Sequence, residues 1–150
     1  MALSGYLIDT SVINRQMYPT VSDRVERLGV QRPLYRCAVV DLEVLYSATS
    51  PADYEARRTA LSNGYTDLPI TPNVMTRALD TQQQLAAASQ HRGGVSLPDL
   101  LIAACAEAHD ATVVHYDADY ERIASVTGQP VEWVVPRGTA RPTDQQGEAN

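Results

Sequence analysis

The sequence predicts an α/β protein in which a central, mainly parallel sheet of four to five short strands is flanked by helices. Short apolar runs alternate along the chain with longer segments of helical apolar spacing, the pattern that strand–helix–strand crossovers produce. Two of these runs stop at an aspartate, Asp9 and Asp117, where residues suited to begin a helix take over. Ser50-Pro51 and Thr71-Pro72 each set a capping side chain beside a proline fitted to the first helical turn.

Taken in order, Tyr6-Leu7-Ile8 reads as a buried strand with Asp9 at its carboxyl end, and Thr10 and Ser11 as the caps of the helix that follows. Val21, Val25 and Leu28 share one helical face, and Gly29 is expected as the C′ glycine that ends their helix. Between Cys37 and Ala48 the residues Val40, Val44 and Leu45 form an apolar stripe, which puts Glu43 in a helix interior at the edge of the core. Ser50-Pro51 starts the next helix, Asp53 complements its positive end, and Asn63-Gly64 stops it. Asp67 to Ile70 is expected as a short strand, followed by a long helix from Thr71-Pro72 to about Gln90 and a loop at Arg92-Gly93-Gly94. Pro98 opens a helix with Asp99 in its first turn, and Leu100 to His109 is apolar almost all round, as suits a helix packed on several sides. Thr112 to Tyr116 reads as a strand, Ala118 to Thr127 as a helix and Val131 to Val135 as the last strand.

With 150 residues, 44% of them apolar, the chain can bury one substantial core, so a single domain over residues 1–136 is expected. From Pro136 the composition turns to Pro, Gly, Gln and Thr, and residues 137–150 read as a disordered tail. The apolar run from Leu100 to Ala106 falls far short of the ~20 residues of a bilayer span, and no secretory leader is evident, so a cytoplasmic protein is expected. Cys37 and Cys105, far apart and without a CxxC or a histidine at ligand spacing, read as buried reduced thiols.

A net charge of −6 argues against a polyanionic partner, because phosphate binding normally needs a basic surface. The excess is local, however. Asp9, Glu43, Asp99, Asp117 and Asp119 are candidates for one site, and without these five the acids nearly balance the bases. Two of them end strands, Asp99 sits where helix N–H groups favour a carboxylate, and Glu43 projects from another helix. Carboxylates that converge repel one another unless cations join them, and an oxygen-only set suits Mg²⁺ or Mn²⁺. Sites of this kind run metal-assisted attack of water on phosphodiesters.

Four segments then carry a resemblance: Tyr6 to Val12 around Asp9, Ala38 to Leu42 before Glu43, Leu97 to Ala104 around Asp99, and Val114 to Ala124 around Asp117 and Asp119. In order and spacing they resemble the PIN-domain ribonucleases, among them the VapC toxins of bacterial toxin–antitoxin pairs, over roughly residues 5 to 135. The resemblance implies a Mg²⁺-dependent endoribonuclease, commonly a homodimer, that cleaves a structured RNA and is silenced by a cognate antitoxin. Carried over by position, Asp9, Glu43, Asp99 and Asp117 form the acidic quartet, Asp119 is a fifth member, and Asp9, Asp99 and Asp117 hold the metal. One departure is Val114-His115-Tyr116 ahead of Asp117, where many relatives carry Ser or Thr.

Each acid alone has a duller explanation: Asp9 as a helix cap, Glu43 as a solvated helix acid, Asp99 as a dipole partner, Asp117 and Asp119 as turn residues. Their joint placement favours a site. His115 and His91 are read as non-catalytic, and Arg15, Arg92 and Arg122 as more often solvated or paired than bound to phosphate. Two other functions compete. Asp-x-Asp after a strand also suits a haloacid-dehalogenase-like phosphatase, but that family needs a later Lys and every basic residue here is Arg. A catalytically inactive PIN-like binding module is the non-enzymatic alternative, against which the complete set of acids argues.

Overall fold

A computed structural model describes residues 2–88 and 95–140. Five parallel strands alternate with helices, as the periodicity requires: β1 (Tyr6–Ile8), β2 (Leu34–Cys37), β3 (Thr66–Leu68), β4 (Thr112–His115) and β5 (Val131–Trp133). The helices are α1 (Thr10–Ile13), α2 (Pro19–Gln31), α3 (Ala38–Tyr46), α4 (Pro51–Gly64), α5 (Pro72–Ala87), α6 (Leu97–Ala108) and α7 (Asp119–Thr127). Strand order is β3-β2-β1-β4-β5, so the chain winds outward from β1, then crosses back to β4 and winds the other way. The reversal lies between β1 and β4, the place where a doubly wound sheet opens a crevice at its carboxyl ends.

Successive strand residues point to opposite faces, and the core divides accordingly. Leu7 and Val113 join α3, α5, α6 and α7 on one face. Ile8 and Val114 meet Val21, Val25 and Leu28 of α2 on the other. Leu100 to Ala106 of α6, read as packed on several sides, is buried nearly throughout.

Several boundaries differ from the sequence reading. β2 was not anticipated: it carries Arg36 amid Leu34, Tyr35 and Cys37, and that charge hides the strand from a hydropathy pattern. Arg36 is accommodated by ion pairs to Asp41 and Asp67. α2 runs through Gly29 to Gln31 and is not ended by it. The absent Cβ there serves packing instead, since one would lie 3.1 Å from Leu34 Cδ1 of β2. β3 begins at Thr66 and stops at Leu68, short of Ile70, β5 stops at Trp133, short of Val135, and β4 stops at His115. α5 ends at Ala87, while Gln90 and the loop at Arg92-Gly93-Gly94 lie outside the described residues. Of the segment read as a tail, 141–150 lies outside the described residues too, whereas the amides of Gly138 and Ala140 donate to the Tyr116 hydroxyl. Among the described residues no helix is long and apolar enough to cross a membrane.

Candidate metal centre

Asp9 reaches the switch point because β1 ends there. Its backbone N–H still donates to Val114 O at 2.9 Å, so β4 fixes its position. The side chain is the N-cap of α1, accepting from the Ser11 amide at 3.0 Å and from the Ser11 hydroxyl on the same Oδ2. The cap is therefore Asp9 itself. Ser11 and Thr10 do other work: Ser11 Oγ accepts from the Tyr116 amide at 2.9 Å, and Thr10 Oγ1 donates to Glu43 Oε1 at 2.9 Å. That last bond ties α3 to the end of β1 and aims Glu43 at the same end of the sheet.

Asp117 follows β4 as Asp9 follows β1. Its Oδ1 accepts from the Asp119 amide at 3.0 Å, a turn closed by its own side chain that starts α7. Asp99 lies in the first turn of α6, capped by Ser96, whose Oγ accepts from the Asp99 amide at 3.3 Å. One carboxylate oxygen from each of Asp99, Asp117 and Asp119 lies within 4.8 Å of the other two. This group differs from the expected ligand set: Asp119 belongs to it, and Asp9 stands beside it.

The link to Asp9 is a residue that the sequence reading missed. Tyr120 is fully buried, and its hydroxyl lies 2.6 Å from Asp9 Oδ1 and 3.2 Å from Asp99 Oδ1. A signal existed: Tyr120 and Ile123 share the inward face of α7 at helical spacing, and a buried tyrosine requires a polar partner for its hydroxyl.

Electrostatics follow from burial. Asp99 is pushed up to about 7 by desolvation first, then by the charges of Asp9 and Asp117. Burial likewise raises Glu43, although the Thr10 hydrogen bond opposes it, and raises Asp119, with Asp117 adding to the effect. Burial lowers His115, whose ring packs against Tyr120 and Trp133 at centroid distances of 5.1 and 4.9 Å. His115 Nδ1 accepts from the Asp117 amide at 3.2 Å, so this histidine shapes the turn that carries Asp117. Arg15 Nη1 donates to Ser11 O at 2.7 Å, and Arg122 stands 3.7 Å from Asp119. Arg92 and His91 lie outside the described residues.

Three clustered carboxylates with no thiolate or imidazole donor among them fit a hard divalent cation, whose charge offsets the repulsion among them. Fold and site together define an α/β protein that gathers acids at the switch point of a parallel sheet. The PIN domain family model matches residues 6–126, and the chain belongs to that family. Among curated relatives, Ribonuclease VapC51 of Mycobacterium tuberculosis is 47% identical over 139 residues, covering 93% of this chain and 98% of that protein. Ribonuclease VapC18 of the same organism is 40% identical over 141 residues, covering 89% of this chain and 98% of that protein. Solved structures agree on the fold. A chain of VapBC2 from Rickettsia felis, bound to a DNA fragment from their promoter, superposes with a TM-score of 0.71 at 15% identity, covering 85% of this chain and 96% of that one. A chain of DNA-bound VapBC from Salmonella typhimurium gives 0.69 at 17% identity, covering 89% and 100%.

Proposed function

We propose that this protein is a Mg²⁺-dependent endoribonuclease, with Mn²⁺ as an acceptable substitute, and the toxin of a toxin–antitoxin pair. The observation that carries the reading is the convergence of Asp99, Asp117 and Asp119 within 4.8 Å at the switch point, in a chain 47% identical to a ribonuclease. Asp99, Asp117 and Asp119, with Asp9 alongside, would hold the cation. When bound, it supplies Lewis-acid polarisation of the scissile phosphate and lowers the pKa of the attacking water. The chain's own groups do the rest. Ser11 and Tyr120 fix both oxygens of Asp9, His115 holds the Asp117 turn, and Glu43, raised by burial and anchored through Thr10, is suited to accept a proton from that water.

A homodimer acting in the cytoplasm and silenced by its antitoxin completes the reading. The free carboxylates are an apt target for a basic antitoxin side chain, whose guanidinium pairs with them bidentately. The deciding experiment is cleavage of labelled RNA with Mg²⁺ and with EDTA, together with end analysis of the products. Hydrolysis by water leaves 5′-phosphate and 3′-hydroxyl ends, and activity is lost in EDTA and in Asp99→Asn. Cleavage undiminished by EDTA, or 2′,3′-cyclic phosphate ends, would refute the mechanism.

A further inference from the structure

We propose that Tyr120 is a positioning residue for the metal centre: its hydroxyl, seated between Asp9 and Asp99, sets the spacing of these carboxylates for cation binding. The inference rests on the metal-dependent reading above and assigns a role to a residue outside the acidic set.

Asp9 comes from the end of β1 and Asp99 from the first turn of α6, two elements with no covalent reason to be near each other. Two buried carboxylates so placed repel. Tyr120 arrives from a third element, α7, with its ring held against His115 at a tilt of 32° and no exposure to solvent. From that fixed ring the hydroxyl contacts Oδ1 of both acids, at 2.6 and 3.2 Å. A phenol carries a single proton, which the hydroxyl shares between the two acids as donor, with the shorter contact, to Asp9, the stronger bond. Ser11 already holds Oδ2 of Asp9, which leaves that carboxylate gripped at both oxygens. A neutral donor in this place lowers the repulsion between the two anions without supplying a rival positive charge. It therefore preorganises the acids while leaving their charge for the cation.

Tyr120→Phe removes the hydroxyl and keeps the ring against His115. Titration calorimetry with MgCl₂ and with MnCl₂ should show about tenfold weaker binding in Tyr120→Phe, the loss expected for one hydrogen bond to a charged group. The Mg²⁺ concentration giving half-maximal RNA cleavage should rise by the same factor, with the rate at saturating Mg²⁺ recovering much of the wild-type value. Tyr65→Phe is the control, because it deletes another hydrogen-bonded phenol, 2.6 Å from Gln16 Nε2, away from the acids. It should lower thermal stability and leave Mg²⁺ affinity unchanged. Equal Mg²⁺ affinity in wild type and Tyr120→Phe overturns the proposal and makes Tyr120 a packing residue only. If wild type itself binds neither ion, the metal-dependent reading falls and this proposal falls with it. Should Tyr120→Phe fail to fold, meta-fluorotyrosine placed at position 120 keeps both ring and hydroxyl. Its fluorine resonance should shift as Mg²⁺ is added, with the calorimetric midpoint, and a resonance that stays put overturns the proposal.

Discussion

Asp99 shows how one side chain couples the chemistry of the site to the stability of the molecule. Burial and the neighbouring charges of Asp9 and Asp117 raise it to about 7, so in metal-free protein it binds its proton more tightly folded than unfolded. Stability is therefore lost as pH rises past about 4, the ordinary value of an unfolded aspartate. The loss is complete once the pH exceeds the folded value, about 7. Asp99→Asn keeps the shape and removes the charge. In EDTA at pH 8 it should be about 1–3 kcal/mol more stable than wild type, net of the weakened helix N-terminal interaction, and the difference should vanish near pH 4. Denaturant titrations at the two pH values check this, and identical pH profiles for the two proteins would show that Asp99 carries no such strain. At this scale the acids were legible in the sequence because strand ends and helix starts give them fixed places. For Tyr120 only the inward place on α7 was legible; the partner of its hydroxyl, Asp9, is 111 residues away in sequence, a relation that no local spacing encodes.

At the scale of elements, four of the five strands among the described residues are legible as short apolar runs, β3 and β5 despite a charged residue in each, and β2 is not. β4 buries all four residues and was legible, whereas β2 buries only Cys37 fully and carries Arg36, which is neutralised first by Asp41 of α3 and, at 3.6 Å, by Asp67 on the next strand. Ion pairing across strands is a tertiary fact, invisible to a one-dimensional pattern. Two glycines packed against the β2 segment make opposite predictions. At Gly5, just before β1, an added Cβ would sit 2.5 Å from the Pro33 carbonyl oxygen and 2.7 Å from Tyr35, so backbone has to move. Gly5→Ala should cost about 1–3 kcal/mol. At Gly29 the obstacle is the flexible end of Leu34, and a helix interior favours Ala over Gly by about 0.5–1 kcal/mol. Gly29→Ala should fall within about 1 kcal/mol of wild type. Thermal melts of the two variants side by side test the contrast, and a loss at Gly29 matching that at Gly5 would contradict it.

For the molecule as a whole, a cation that binds only the folded acids stabilises the fold by mass action. At a hundred times its dissociation constant the gain is about 2.7 kcal/mol. Mg²⁺ should accordingly raise the melting temperature of wild type and raise that of Asp99→Asn much less, which scanning calorimetry with and without Mg²⁺ measures. Equal shifts in the two proteins would mean that the ion binds elsewhere. The sheet order has a further consequence. β1, laid down first, takes its partner β4 from residues 112–114, on the far side of the switch point. A chain still on the ribosome, holding Asp9 and Glu43 but not yet Asp117 or Asp119, has no pocket to fill. On the proposed assignment, hydrolytic power therefore waits until the chain has been made through Asp119, and a fragment that stops before Asp117 is expected to cleave no RNA.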